Sequence, residues 1–155
     1  MTDDKYQEGL LISAIENGTV IDHITGGEAL TVLRILGITG STNECVSVAT
    51  NVVSNALGKK DVVKIENREL KDEEVDRIAL ITPGATINII RDKRVVEKKG
   101  VAIPDVLVGV LQCPNPCCIT NTNEPVPSRF LVQGRRLICA YCDTVISSDI
   151  PAHII

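Results

Sequence analysis

Aromatic side chains are nearly missing from this sequence, which has two tyrosines (Tyr6, Tyr141), one phenylalanine (Phe130) and no tryptophan among 155 residues. Surfaces that bind single-stranded nucleic acid usually offer rings on which bases stack, so that class of function is poorly served. Charge argues the same way, because a formal net charge of −4 gives no general excess of cations to meet a phosphate backbone. No apolar run approaches the roughly 20 residues needed to cross a bilayer. The opening Met1-Thr-Asp-Asp is acidic, whereas a secretory leader is basic and then apolar. A cytoplasmic chain with no membrane span is therefore expected, and the sequon at Asn17 is then accidental. Phosphate-cradling glycine motifs are missing as well: there is neither a Walker loop nor a Gly-x-Gly-x-x-Gly fingerprint. No Ser, Cys or Lys nucleophile stands beside a convincing base, so no catalytic set is expected.

What the chain has in quantity is aliphatic side chains, with hydrophobic residues at 44%. Cores of Ile, Val and Leu follow, and their β-branched bias favours strands. It also has cysteine. The stretch Cys113-Pro-Asn-Pro-Cys117-Cys118 is followed, after a spacer, by Cys139-Ala-Tyr-Cys142. Two short Cys turns separated by a loop match the layout of a structural zinc site, since zinc takes four thiolates in a tetrahedron and each turn can offer two. Of the three cysteines in the first cluster, Cys113 and Cys118 are the better pair, with the adjacent Cys117 a competitor of Cys118 for the same ligand position. Cys139 and Cys142 complete the set. The other readings of such cysteines are disulfides or buried free thiols, which the lack of a leader and the solitary Cys45 disfavour. Four thiolates close the coordination sphere, so one Zn²⁺ per chain is expected to fold a small domain rather than to react. The segment beyond about Asp105 is short enough to need such a staple.

Taken in order, Leu10 to Ile15 is a short apolar run that ends in the turn signal Glu16-Asn17-Gly18. Thr19 to Ile24 reads as a strand. Gly26-Gly27 opens a helix with Leu30, Val32, Leu33 and Leu36 on one stripe, stopping at Gly37. Cys45 to Val53 alternates as a strand, Ser54 to Lys60 reads as a loop, and Val62 to Glu66 as the next strand. A second helix has Asp72 as N-cap and Val75, Ile78 and Ala79 inward, and ends at Pro83-Gly84. Ala85 to Ile90 and Arg94 to Glu97 form strands joined by a tight connection at Arg91-Asp-Lys93. Lys98 to Pro104 is the candidate linker. Beyond it, Leu107 to Leu111 leads into short strands at Arg129 to Val132, Arg136 to Ile138 and Thr144 to Ile146. The fold class is thus α+β: an N-terminal β-α-β-β-α-β domain of the ferredoxin-like plan with an extra strand, and a small β-rich, four-cysteine C-terminal domain.

Within the first domain, His23 beside Asp22 admits a general-base reading and a reading as a polar strand end with structural hydrogen bonds. The basic residues Lys59, Lys60, Lys64, Arg91, Lys93, Arg94, Lys98 and Lys99 gather in two groups. Such groups are either solvated faces or, if the strands bearing Lys64 and Val95 converge, a pocket for a phosphorylated small molecule. Asp22 and Asn88 would then meet hydroxyl or amide groups.

Four strings occur in order: Gly18-Thr-Val-Ile-Asp-His-Ile24, Lys60-Asp-Val-Val-Lys-Ile-Glu-Asn67, Ala85-Thr-Ile-Asn88, and Cys113-Pro-Asn with Cys139-x-x-Cys142. Together they resemble the regulatory chains of aspartate carbamoyltransferase, over almost the whole chain from about Leu10. The resemblance implies a chain without catalytic activity, with an allosteric domain over residues 1–103 and a zinc domain over residues 104–155. It implies that the first domain binds CTP, often with UTP, as inhibitor and ATP as activator. It also implies that regulatory homodimers join the catalytic chain's trimers, two trimers with three dimers, the zinc domain docking on the catalytic chain. Carried over by position, base and ribose contacts fall on Ile12, Ile15, Val20, Asp22, Asn88, Ile90 and Val95. Triphosphate contacts fall on His23, Lys64 and Lys98, while Lys60 serves the ribose or a second nucleotide. Two positions depart from the best-known members: Lys93 replaces an aromatic residue and Ser13 an acidic one. A rival reading, a zinc ribbon for nucleic acid, would use Arg129, Arg135 and Arg136; a small metal enzyme would need an open zinc position that four thiolates do not leave.

Overall fold

The computed structural model describes residues 15–40, 43–54, 58–123 and 126–155. Elements run β1 (Gly18–Thr25), α1 (Ala29–Ile35), β2 (Val46–Ser54), β3 (Gly58–Glu66), α2 (Asp72–Ile81), β4 (Thr86–Arg91) and β5 (Arg94–Gly100). These five strands form one sheet in the order β2-β3-β1-β4-β5, and its neighbours are antiparallel throughout. The remaining strands, β6 (Val106–Val108), β7 (Arg129–Gln133), β8 (Arg136–Cys139) and β9 (Val145–Ile146), make a second antiparallel sheet in chain order.

Alternation explains the first layer. Ile21, Val63, Ile65, Ile87 and Ile89 project from one face of the first sheet and bury against Ala29, Val32 and Leu36 of the α1 region and Ile78 and Ala79 of α2. Each aliphatic side chain fully buried in this way contributes about 1.5–3 kcal/mol. Both helices therefore lie on one face, and the opposite face carries Val20, Asp22, Lys60, Lys64 and Asn88.

A second core gathers Leu107, Val110, Leu111, Phe130, Leu137 and Ile146 around Cys113, Cys118 and Cys139. Leu80 of α2 belongs to this cluster, so one helix serves both cores. Arg77, also on α2, donates from Nε to the Ile155 carbonyl at 3.0 Å and from Nη2 to the Gly109 carbonyl at 3.4 Å.

Several local expectations are corrected. Leu30 does not join the inward stripe of α1. It is 71% exposed, because Ala29, Val32 and Leu36 carry the buried side of this short helix. Lys59 and Lys60 lie in β3 rather than in a loop, since that strand begins at Gly58. The N-cap of α2 is Lys71, not Asp72, and Glu74 Oε1 accepts its backbone N–H at 3.1 Å. Lys98 and Lys99 continue β5, held by pairing with Asn88 and Ile87, so the linker starts later than the charge run suggests. Among the described residues no helix is long and apolar enough to cross a membrane.

Candidate functional site

Two constellations carry chemistry. The first is the cysteine cluster. β8 ends at Cys139, and the reversal after it, with Asp143 at φ 62°, brings Cys142 back alongside. The other knuckle is shaped by Asn115, whose Oδ1 accepts the Cys117 N–H at 3.0 Å and whose carbonyl accepts the Cys118 N–H at 3.1 Å. Asn121 Nδ2 ties this turn down by donating to the carbonyls of Cys113 and Asn115, both at 2.8 Å. As a result the four sulfurs of Cys113, Cys118, Cys139 and Cys142 lie within 4.8 Å of one another. Cys113 Sγ is 3.5 Å from Cys142 Sγ, and Cys118 Sγ is 3.7 Å from Cys139 Sγ. A tetrahedron with Zn–S bonds of about 2.3 Å has edges of about 3.8 Å, so the thiols are spaced as zinc requires. Cys117 is exposed and takes no part in the cluster, and Cys45 is exposed at the start of β2.

The surroundings split the thiols into two kinds. The hydroxyl of Thr144, 3.1 Å from Cys142 Sγ, brings that thiol down to about 6, and the Thr120 hydroxyl, donating at 3.2 Å, lowers Cys118. Burial instead pushes Cys113 up to about 12 and raises Cys139. Four sulfurs at this separation cannot all carry charge without a cation among them, and a divalent metal resolves the conflict. Their closed set gives a structural site with no vacant position for substrate. The two threonine hydroxyls act on the sulfurs as the outer hydrogen bonds that orient ligands.

The second constellation is the helix-free face of the first sheet. Register pairs Lys64 with Val20, Val20 with Asn88, and Asn88 with Lys98. These residues therefore form one row across β3, β1, β4 and β5, with a lysine toward each end. The neighbouring row pairs Gly18 with Ile90 and Ile90 with Val95. On the other side Asp22 pairs with Thr86, and its Oδ1 lies 2.9 Å from Lys60 Nζ. Lys60 is almost wholly buried, so this ion pair is shielded from solvent.

His23 sits where β1 skips a residue against β3, with φ 57°. Its backbone N–H donates to Asp22 Oδ1 at 2.7 Å, while its buried Nδ1 has no hydrogen-bond partner and lies 3.9 Å from Asp22 Oδ2. That geometry does not make Asp22 an orienting acceptor for a general base. Ile15 is buried at the entry to β1, and Ile12 lies outside the described residues, as does Ser13. Lys93, at φ 65° in the β4–β5 turn, donates its backbone N–H to the Glu16 carbonyl at 2.8 Å and brings the chain ahead of β1 to the end of the Ile90 row. Spacing in the sequence could not have paired Lys98 with Asn88, because the notional linker concealed the end of β5.

Comparison with known proteins gives a consistent outcome. Residues 10–102 match the family "Aspartate carbamoyltransferase regulatory chain, allosteric domain", and residues 105–151 match "Aspartate carbamoyltransferase regulatory chain, metal binding domain". The chain is 74% identical over 155 residues to an aspartate carbamoyltransferase regulatory chain of Methanospirillum hungatei JF-1, covering 100% of both. It is 69% identical over 147 residues to one of Methanoculleus marisnigri, covering 95% of each. Identity to one of Haloarcula marismortui is 59% over 155 residues, covering 100% of this chain and 99% of that one.

Proposed function

Because this chain belongs to the family of aspartate carbamoyltransferase regulatory chains, non-catalytic subunits of pyrimidine biosynthesis with an allosteric and a metal-binding domain, we propose that its helix-free sheet face is the seat of a nucleoside triphosphate effector. The observation that carries this reading is the cross-strand row Lys64–Val20–Asn88–Lys98. Lysines at its two ends supply point charges for phosphates, and Val20, Asn88, Ile90 and Val95 between and beside them offer an apolar bed with one amide for base and sugar. Asp22, fixed by Lys60, is an acceptor for ribose hydroxyls, and His23 adds a donor on the phosphate side. Ile15, buried at the entry to β1, closes the base end, and the family resemblance assigns Ile12 to the same contacts.

On this reading CTP, with UTP, inhibits and ATP activates, and both compete for the same face. Residues 1–103 act as the sensing unit and residues 104–155 as the zinc-folded unit that docks on the catalytic chain. Two regulatory chains pair, and three such dimers join two catalytic trimers in the cytoplasm. A nucleotide shifts the assembly only through its different affinity for two quaternary states, with coupling of about 1–3 kcal/mol typical of such systems.

Calorimetric titration of the zinc-loaded chain with CTP and ATP tests the reading, alongside Lys64→Ala. Competitive binding of both nucleotides, weakened at least about 10-fold in the variant, is expected from losing one charge-assisted contact. A folded wild-type chain that binds neither nucleotide would overturn it.

A further inference from the structure

A cleft of about 350 Å³ opens beside the cysteine cluster, lined by both Cys113 and His153. The rest of its lining is two prolines, an alanine and the amide side chains of Gln112 and Asn121. The end of the chain brings the histidine there. Leu111 bridges Ile154 in antiparallel fashion, Ile155 N–H donates to the Val110 carbonyl at 2.9 Å, and Gln112 N–H donates to the His153 carbonyl at 2.7 Å. His153, on the 3₁₀ turn Ile150–His153, is therefore pinned across from the residue that precedes the first thiol of the cluster. Among the described residues its half-buried imidazole has no hydrogen-bond or ion-pair partner. Cys113, Cys118 and Cys139 are all buried, yet a metal held in a folded site is exchanged only where an incoming donor can reach it. A zinc ion with a shell of about six waters fills about 180 Å³, at about 30 Å³ per water, so the cleft admits one.

We propose that this cleft is the passage through which zinc is exchanged in the folded domain, with His153 as the transient ligand that holds the ion while a thiol lets go. The inference rests on the reading that the four thiols hold zinc. Neutral imidazole is a common zinc donor, and it is the one strong metal donor that lines the cleft besides Cys113. In the exchange, Cys113 sulfur releases the ion and takes a proton from solvent, and an imidazole nitrogen of His153 fills the vacated position. A small chelating acceptor entering the cleft then displaces the imidazole and the remaining sulfurs, each of which is protonated in turn. Incoming zinc retraces these steps, and each sulfur returns its proton to water. His153 stays outside the final set, because the four sulfurs lie within 4.8 Å of one another without it and close the tetrahedron. The exposed Cys117 is the rival entry donor, but it does not line the cleft.

Transfer of zinc from the full, zinc-loaded chain to the chromophoric chelator 4-(2-pyridylazo)resorcinol tests this, followed by absorbance over a range of chelator concentrations. In the unaltered chain the rate should rise with chelator concentration, as attack through a cleft requires. His153→Ala and His153→Gln should each slow that transfer about 10-fold, the rate equivalent of one lost contact in the barrier. Zinc affinity, measured by competition at equilibrium, should stay as it was, because the imidazole is absent from the bound state. A merely structural role predicts the opposite sign, since a loosened site binds zinc more weakly and loses it faster. Free imidazole should restore the rate in His153→Ala but not in Ala152→Trp, which crowds the cleft. Zinc content and circular dichroism check that each variant is folded. Folded His153 variants that exchange zinc as fast as the unaltered chain would overturn the inference. So would a rate indifferent to chelator concentration, which means that zinc leaves only when the domain unfolds, or slowing in Cys117→Ser alone. A chain that holds no zinc would sink the four-thiol reading, and the inference with it.

Discussion

Asp61 shows how one side chain can set the geometry of a sheet edge. It is fully buried, and its carboxylate accepts three backbone N–H groups: Gly27 and Ala29 on Oδ2, both at 2.9 Å, and Asn51 on Oδ1 at 2.8 Å. Asn51 lies at φ 55° where β2 slips against β3, so the carboxylate holds both the start of α1 and that irregularity. Asp61→Ala would leave three donors without acceptors at about 1–3 kcal/mol each. Urea unfolding should show a loss of at least about 3 kcal/mol, with zinc content unchanged. A loss below about 1 kcal/mol would mean that water replaces the carboxylate. Neighbouring cysteines make an equally sharp pair. Cys118 is buried in the cluster and Cys117 is exposed outside it. Cys118→Ser should therefore lower zinc retention on dialysis against a chelator, while Cys117→Ser should retain zinc as the unaltered chain does. Equal loss from both would show that the two thiols exchange roles.

At the scale of elements, α2 joins the two halves. Ile78 and Ala79 face the first core, Leu80 enters the second, and Arg77 holds the carbonyls of Gly109 and Ile155. Arg77→Ala should loosen this joint at a cost of about 1 kcal/mol. Leu80→Ala, which opens a cavity in the second core, should cost about 2–5 kcal/mol. Scanning calorimetry should show the second sheet melting earlier in both variants, with the first sheet's transition little moved. A common downward shift of both transitions would mean that the two cores unfold as one unit.

The inward side of α2 was legible, because Val75, Ile78 and Ala79 recur at helical spacing. Strand alternation likewise marked β2, and short β-branched runs marked β1 and β4. Leu80 could not be assigned from the same pattern, since its core is assembled from residues distant in sequence. Leu30 was misplaced for a related reason. A helix as short as α1 can turn any of several apolar residues inward, and packing decides which. The lysine row depended on register, which is set by pairing and by the slip in β5, not by any spacing within one strand. The cysteine ligand turns were readable because metal geometry constrains them locally.

For the molecule as a whole, the metal divides stability into two unequal parts. The first sheet has a continuous aliphatic core under two helices, whereas the second is small and gathers around the cysteines. Metal binding and folding are one event in such a domain, so chelation should unfold the second sheet and leave the first. Far-UV circular dichroism should lose part of its strand signal, and amide exchange should accelerate between Val106 and Ile146 while the β1 and β3 amides stay protected. The pH dependence follows from the thiols. With Cys142 down at about 6 and Cys113 pushed up to about 12, the metal-free site is partly protonated near neutrality. Zinc takes thiolates, so each protonated sulfur must release its proton on binding. The bound form therefore holds fewer protons than the free form and gains as pH rises, by up to about 10-fold in affinity per proton per pH unit. Competition with a chelator of known proton affinity should show zinc held more tightly at pH 8 than at pH 6. Binding indifferent to pH over that range would mean that all four sulfurs are already ionised before the metal arrives, which the burial of Cys113 and Cys139 opposes.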